Sequence, residues 1–141
     1  MRYTVLFSIL LFAIVMGCSK DKFKSTPSLK FKSVNTRVLQ NGQAIEFTLS
    51  FTDAEGDLND SLYIEKTEPT CVGSNFTDHY DIPAFPTSRN EKGDLVVTFD
   101  YSYISPQCQR NDTAVFRFAI KDKANHLSDT VSSPPIILVY Q

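Results

Sequence analysis

Acidic side chains that could bind a cation are concentrated in two polar segments of the chain. The segment FTDAEGDLND supplies Asp53, Glu55 and Asp57, and the segment KDKANHLSD supplies Asp122 and Asp129. Carboxylate oxygens are the ligands that Ca²⁺ prefers in proteins. The two segments therefore predict a calcium site, provided that the fold brings them to one end of the molecule. The alternative is that these residues only build turns, where short polar side chains bond to the nearby backbone.

The chain starts with a short apolar segment that leads to a cysteine. Residues 5–16 read VLFSILLFAIVM and follow one positive charge, Arg2. A helix of that length spans about 18 Å, which is well short of the roughly 30 Å hydrocarbon core of a bilayer. A segment of this kind is typical of a cleaved signal peptide, and we assign residues 1–17 to it.

The residues around the expected cleavage point carry a known pattern. Residues 15–18 read VMGC, which resembles the lipobox of bacterial lipoproteins. The resemblance implies cleavage before Cys18, a diacylglycerol on its thiol and a palmitate-type acyl chain on its new amine. Residues 18–27 would then be a lipidated tether to the membrane. Ser19 follows the cysteine, and this resembles lipoproteins that are sorted to the outer membrane of the cell envelope.

Cys71 and Cys108 are the two cysteines that remain once Cys18 is lipidated. An exported protein folds in an oxidising compartment, where paired cysteines are usually joined. We therefore predict a disulfide between Cys71 and Cys108. The alternative is two buried free thiols, which pack as small apolar side chains.

Period-2 alternation of apolar and polar residues recurs after residue 28, with turn residues between the segments. Strands with one apolar face must bury it against a second sheet. The fold class expected for residues 28–141 is therefore all-β, an antiparallel two-sheet sandwich of about seven strands. The predicted strands are 29–35, 44–52, 61–66, 79–83, 94–103, 112–122 and 130–140.

The strand count and length resemble immunoglobulin-like or fibronectin-III-like domains, although the chain has no Trp and so lacks the Cys…Trp…Cys signature. In that topology the loops after the second and sixth strands meet at one end of the sandwich. The resemblance thus implies that the two acidic segments converge. It also implies that Cys71 and Cys108 share the opposite end.

Aromatic side chains are concentrated in residues 75–86, NFTDHYDIPAFP, which we predict to be largely irregular. Phe76, Tyr80 and Phe85 in this stretch are the candidate binding residues, because flat aromatic rings stack on sugars or anchor a protein partner. The alternative is that they pack beneath the disulfide as a satellite of the core.

Three short motifs place Asp before Ser or Thr and an apolar residue after it. They resemble the O-glycosylation motif of some Gram-negative envelope proteins, and the resemblance makes Ser61, Thr113 and Thr130 the acceptors. Asp-Thr pairs also occur where a loop enters a strand, because their side chains bond to the backbone of the turn. The alternative is therefore that these residues serve only turn geometry.

Composition narrows the class of function. A net charge of −2 argues against a nucleic-acid partner, and His79 and His126 have no neighbouring nucleophile motif or zinc-ligand spacing. We expect a lipid-anchored interaction or adhesion module of the cell envelope, without catalytic activity, that binds a protein or a glycan. The alternative is an accessory subunit of a larger envelope assembly such as a glycan-uptake system. A third hypothesis is a small glycosidase-type enzyme, which needs two carboxylates facing one cleft.

Overall fold

The computed structural model describes residues 25–58, 60–84, 86 and 89–141. The predicted signal peptide, the lipidation site Cys18 and the candidate binding residue Phe85 lie outside the described residues. No helix in the described part is long and apolar enough to cross a membrane.

Nine strands, one 3₁₀ turn and one helical turn make up the described chain. In order they are β1 (Ser28–Val34), β2 (Val38–Leu39), β3 (Ala44–Asp53), β4 (Ser61–Thr67), a 3₁₀ turn (Val72–Ser74), β5 (Phe76–Asp81), β6 (Glu91–Asp100), α1 (Tyr101–Ile104), β7 (Asp112–Lys121), β8 (Val131–Ser132) and β9 (Ile136–Leu138).

The strands form two sheets. The first sheet has the order β1-β3-β6, and the second has the order β2-β9-β7-β4-β5 with β8 also paired to β7. All the pairings are antiparallel except that of β2 with β9, which is parallel. The predicted all-β, two-sheet fold is therefore confirmed.

The core lies between the sheets, because every second residue of the longer strands is apolar and faces the other sheet. On β3, Ile45, Phe47, Leu49 and Phe51 are buried. The ring of Phe47 lies 4.7 Å from that of Phe116 and 5.3 Å from that of Phe118, both on β7 of the opposite sheet. Apolar side chains from both layers thus share one cluster.

Several strand boundaries differ from those predicted. The strand predicted at 94–103 ends at Asp100, and Tyr101 begins a helical turn. The strand predicted at 130–140 is split into β8 and β9, since Pro134 and Pro135 between them have no N–H to donate to a ladder. The strand predicted at 79–83 begins earlier, at Phe76.

The two ends of the sandwich have different chemistry. At one end lie the loop residues 54–58 and 60 and the loop 122–130, which we call the acidic end. At the other lie residues 68–75 and 101–111, which contain both disulfide cysteines and which we call the disulfide end. Ser28, the first residue of β1, pairs with Thr52 near the end of β3, so the chain enters the sandwich at the acidic end.

Candidate functional site

Carboxylates from the two predicted acidic segments do converge. Oxygens of Asp53, Asp57 and Asp122 lie within 4.8 Å of one another, and ligand atoms of Glu55, Asp122 and His126 form a second such group. The loops also bond directly, since Lys123 N donates to Asp57 O at 3.2 Å. Asp129 is exposed and belongs to neither group, so the predicted five-residue set is brought together without it.

Turn bonds already engage two of these carboxylates. Asp53 accepts from the backbone N–H of Asp57 at 2.9 Å, and Asp122 accepts from the N–H of His126 at 2.7 Å. Asp122 also contacts Nδ1 of His126 at 3.0 Å. These bonds are the turn chemistry that the sequence offered as the alternative to a metal site.

Asp57 differs from its neighbours. Its Oδ1 is buried and has no hydrogen-bond partner among the described residues. Burial raises the pKa of Asp57, and repulsion from Asp122 and then from Asp53 raises it further. Calcium binding at this end stays a prediction, with Asp57 as the residue whose charge a cation would neutralise.

The disulfide end is tied together by covalent and polar links. Cys71 and Cys108 are bonded to each other, 37 residues apart in sequence. Asp112 accepts from the backbone N–H of Cys71 at 2.6 Å and of Thr70 at 3.0 Å. Burial alone would raise the pKa of Asp112, but these backbone bonds lower it below the ordinary value.

A buried ion pair, Lys66 with Glu68, lies at the same end. Lys66 Nζ also donates to Ser74 O at 3.1 Å in the 3₁₀ turn. Burial lowers the pKa of Lys66 and raises that of Glu68, against the attraction between them. This pair was not predicted, because charged residues at the end of a strand ordinarily face solvent.

Two of the three candidate binding aromatics, Phe76 and Tyr80, lie on a strand and not in an irregular loop. Phe76 and Tyr80 belong to β5, the edge strand of the second sheet, and their side chains turn toward the first sheet. Phe76 is half-buried and packs at the margin of the main core. Tyr80 keeps 38% of its surface exposed.

Tyr103 lies next to Phe76 and Tyr80 and was not predicted as a binding residue. Its ring is stacked on Phe99, with centroids 5.9 Å apart and planes 6° apart, and it meets the edge of Phe76 at 5.6 Å. Its hydroxyl lies 3.5 Å from Asp78 Oδ2 and 3.4 Å from the hydroxyl of Tyr80. Even so, 56% of Tyr103 is exposed.

We call Asp78, Tyr80 and Tyr103 the tyrosine platform. Both tyrosines are partly exposed there, and the ring of each contacts the buried ring of Phe99. The pKa of the Tyr80 hydroxyl is raised, first by burial and then by Tyr103 and Asp78. The platform therefore offers neutral donors and an acceptor beside flat apolar surface, which is an arrangement suited to sugar rings.

A second concave surface lies on the outer face of β4, β5 and β7. It has a volume of about 560 Å³ and includes Tyr63 and Lys121. The Lys121 ammonium lies 6.0 Å from the centre of the Tyr63 ring and 2.9 Å from Asp60. Arg117 pairs with Glu65 at 2.9 Å. The charged side chains of this groove are thus paired with one another. The groove is therefore less suited to a polar ligand than the tyrosine platform.

The three predicted O-glycosylation acceptors differ in accessibility. Ser61 is buried at the start of β4, and its hydroxyl donates to Asp60 at 3.2 Å. Thr113 is half-buried on β7, whereas Thr130 is exposed just before β8. Of the three, Thr130 is the one that a modifying enzyme could reach without opening the fold.

Comparison with known proteins yields likeness in fold alone. No protein-family profile matches the chain, and no curated protein matches it in sequence. Among solved structures it is similar to the sporulation control protein Spo0M from Bacillus subtilis, with a TM-score of 0.50 and 8% sequence identity. The likeness covers 84% of this chain and 51% of Spo0M, so the chain spans about half the length of that protein.

Proposed function

We propose that this chain is a lipid-anchored interaction module of a bacterial cell envelope, and that it binds glycans through the tyrosine platform. The observation that carries the glycan part is the state of Tyr103. The residue is more than half exposed, yet its ring contacts Phe99 and Phe76, which orient it. A sugar ring that stacks on a ring already held in place costs little side-chain entropy on binding.

The polar rim of the platform supports the same proposal. Asp78 accepts hydrogen bonds, and the hydroxyls of Tyr80 and Tyr103 both donate and accept them. Sugar hydroxyls need such partners at the edge of a stacked ring. The Tyr103 hydroxyl lies 3.4 Å from that of Tyr80 and 3.5 Å from Asp78 Oδ2, so one monosaccharide can reach the three groups together.

The strand order supports an immunoglobulin-like fold as the finer description. The first sheet, β1-β3-β6, corresponds to strands A, B and E, and β9-β7-β4 corresponds to G, F and C. In the constant-type domain the fourth strand joins the first sheet, whereas here β5 pairs with β4. This is the position of the C′ strand in variable-type domains.

The lipid anchor rests on the VMGC motif and the apolar segment before it. Mass spectrometry of the native chain, expressed in a Gram-negative host and extracted with detergent, tests it. We expect a protein that starts at Cys18 and carries the mass of a diacylglycerol and an acyl chain. A Cys18→Ala variant is the control and should keep residues 1–17. An unmodified thiol at Cys18 would refute the anchor.

A glycan array tests the binding site. The probes are immobilised oligosaccharides, and the proteins are the wild type and the variants Tyr103→Ala, Tyr103→Phe and Val96→Ala. We expect the wild type and Val96→Ala to bind the same glycans, and Tyr103→Ala to lose them. Absence of binding by the wild type, or equal binding by Tyr103→Ala, would refute the proposal.

The second candidate is an accessory subunit of a larger envelope assembly. Purification of the native lipoprotein from a detergent extract distinguishes the two. A stoichiometric partner protein supports the subunit, whereas a single species that binds glycan supports the module.

A further inference from the structure

The outer edge of β6 carries no partner strand in the part of the chain that the structure describes. All ten residues of β6, from Glu91 to Asp100, pair with β3 along one edge. Within the described ranges no strand pairs with the other edge. A groove of about 240 Å³, bounded by Tyr80 and Val96 among others, separates β6 from β5 of the opposite sheet.

An edge of this length requires an explanation. A row of unpaired N–H and C=O groups is a template for another strand, and proteins usually shorten, bend or cover such edges. Here the strand is ten residues long, and its described register with β3 has no bulge. Val96, near the middle of the strand, is 62% exposed.

The pattern of side chains on β6 indicates which strand could pair with it. Lys92 lies near one end of the exposed face and Asp100 at the other, with Val96 midway between them. In an antiparallel pair of two identical strands centred on Val96, Lys92 of each copy faces Asp100 of the other. The strand is therefore complementary in charge to itself.

We propose that a second copy of this chain pairs with β6 in an antiparallel register centred on Val96. The two copies are related by a two-fold axis, and each contributes the same surface, as an isologous dimer requires. Two Lys92–Asp100 pairs flank a central Val96–Val96 contact. The sheet β1-β3-β6 then continues into its copy and becomes six strands wide.

Neighbouring registers fit less well. Residues directly opposite each other in an antiparallel ladder point to the same face of the sheet. In a symmetric pair of two β6 strands, the central residue must therefore lie opposite the same residue of the other copy. A register centred on Leu95 puts Asp94 opposite Val96. A register centred on Val97 puts Asp94 opposite Asp100, and like charges directly opposite each other are destabilising.

Asp94 does not oppose the proposed register. Within its own copy, Asp94 Oδ2 forms an ion pair with Lys32 Nζ of β1 at 2.6 Å. Across the dimer it faces Thr98, which is neutral. The register thus leaves no charged side chain of β6 facing a like charge.

Cysteine cross-linking tests the register directly. The full-length chain in detergent is oxidised with copper phenanthroline as Val96→Cys or Thr98→Cys, beside the wild type, which reports any background from Cys18. Directly opposite Cβ atoms lie about 5 Å apart, close to the span of a disulfide. The two copies of position 98 are four residues out of register, about 13 Å along the strand. We expect a covalent dimer with Val96→Cys and none with Thr98→Cys.

The result that overturns the register is a dimer yield from Thr98→Cys equal to that from Val96→Cys. Absence of a dimer in both variants overturns the proposal as a whole. Neither result bears on glycan binding by the tyrosine platform, which the array measures separately.

A charge swap gives a second and independent test. Lys92→Asp puts two carboxylates opposite each other at both ends of the interface, and Asp100→Lys does the same with two ammonium groups. We expect each single change to weaken self-association in analytical ultracentrifugation by about tenfold. The double variant Lys92→Asp/Asp100→Lys restores opposite charges and should recover the wild-type association. If the double variant stays as weak as the single ones, the Lys92–Asp100 pairing is wrong.

Discussion

Tyr103 lies parallel to Phe99, with ring centroids 5.9 Å apart and planes 6° apart. The two residues come from different elements, since Phe99 ends the inward alternation of β6 and Tyr103 lies in the helical turn α1. Phe99 is buried, whereas most of Tyr103 is exposed. The core of the sandwich therefore extends to the surface through one aromatic pair, and that pair orients the ring that we expect to meet a ligand.

Replacing Tyr103 by Ala should separate its roles in stability and binding. We expect a loss of about 1 kcal/mol in the free energy of unfolding, since an aromatic pair contributes about 0.5–1.5 kcal/mol beyond its buried area. Tyr103→Phe keeps the stack and loses only long contacts to Asp78 and Tyr80, so it should unfold within about 0.5 kcal/mol of the wild type. Urea denaturation of both variants measures the difference. Equal stability of Tyr103→Ala and the wild type would contradict the stacking argument.

The buried pair of Lys66 and Glu68 predicts a strong effect of single substitution. Lys66→Met leaves a carboxylate without its partner in the interior, and such changes cost about 3–5 kcal/mol. The double variant Lys66→Met/Glu68→Gln should recover much of this loss. Denaturant unfolding of the three proteins is the measurement. A single variant as stable as the double one would show that the pair is not buried as described.

The pH dependence of Lys66→Met follows from the same burial. The pKa of Glu68 is raised in the folded protein, so the folded state binds that proton more tightly than the unfolded state. Protonation of Glu68 therefore adds to the free energy of unfolding in acid. This added stability is lost as the pH rises through the pKa of Glu68 in the folded state. The variant should therefore be relatively more stable near pH 5 than near pH 8, and the difference from the wild type should narrow in acid.

Asp57→Asn should stabilise the acidic end near neutral pH. The pKa of Asp57 is raised by burial, by Asp122 and by Asp53. The charged form is therefore unfavourable in the folded state, and stability falls as the pH rises through the folded pKa. Thermal melts should show a higher Tm for Asp57→Asn than for the wild type at about pH 7, with the gap closing below about pH 4. A lower Tm for the variant at neutral pH would contradict the repulsion.

The same pair of proteins tests the predicted calcium site. If Ca²⁺ binds between the two loops, millimolar CaCl₂ should raise the Tm of the wild type, because a ligand that binds only the folded state stabilises it. Asp57→Asn removes one ligand charge and should respond less. EDTA-treated protein provides the baseline. An unchanged wild-type Tm in CaCl₂ would end the calcium prediction.

Removal of the disulfide should destabilise the protein by about 3–4 kcal/mol in the loop-entropy model, since Cys71 and Cys108 close a loop of 37 residues. The double variant Cys71→Ser/Cys108→Ser avoids a leftover thiol. Its unfolding should match that of the reduced wild type, and neither should respond to reductant. A Tm that is the same with and without the bond would contradict this estimate.

Alternation predicted the two-sheet fold because strands with one buried face leave a strong pattern, as on β3. It failed at Tyr101 and Tyr103, which continue the period-2 pattern of β6 although the backbone has turned into a helical turn. There Tyr101 N donates to Gln43 O at 3.0 Å and its hydroxyl donates to Val139 O at 2.7 Å. Such long-range bonds are invisible in a local pattern.

Residues 76–81 illustrate the opposite failure. Asp78 and Asp81 have low strand propensity, and residues 75–86 were predicted to be largely irregular, with a strand only at 79–83. Its position at the edge of the second sheet tolerates polar residues, and pairing with β4 makes it a strand. The resemblance to immunoglobulin-like domains implied that the acidic loops converge. Which carboxylates come close together depends on local bonds, and Asp129 is exposed and lies outside both ligand groups.

The entry of β1 at the acidic end has a mechanical consequence. A pull applied through the residues before Ser28, against a load held at the disulfide end, runs along β1. The hydrogen bonds of the antiparallel ladder with β3 stand perpendicular to that direction. The force therefore loads all the β1–β3 hydrogen bonds together in shear. The bonds are not broken one after another, as they would be if the strand were peeled from one end.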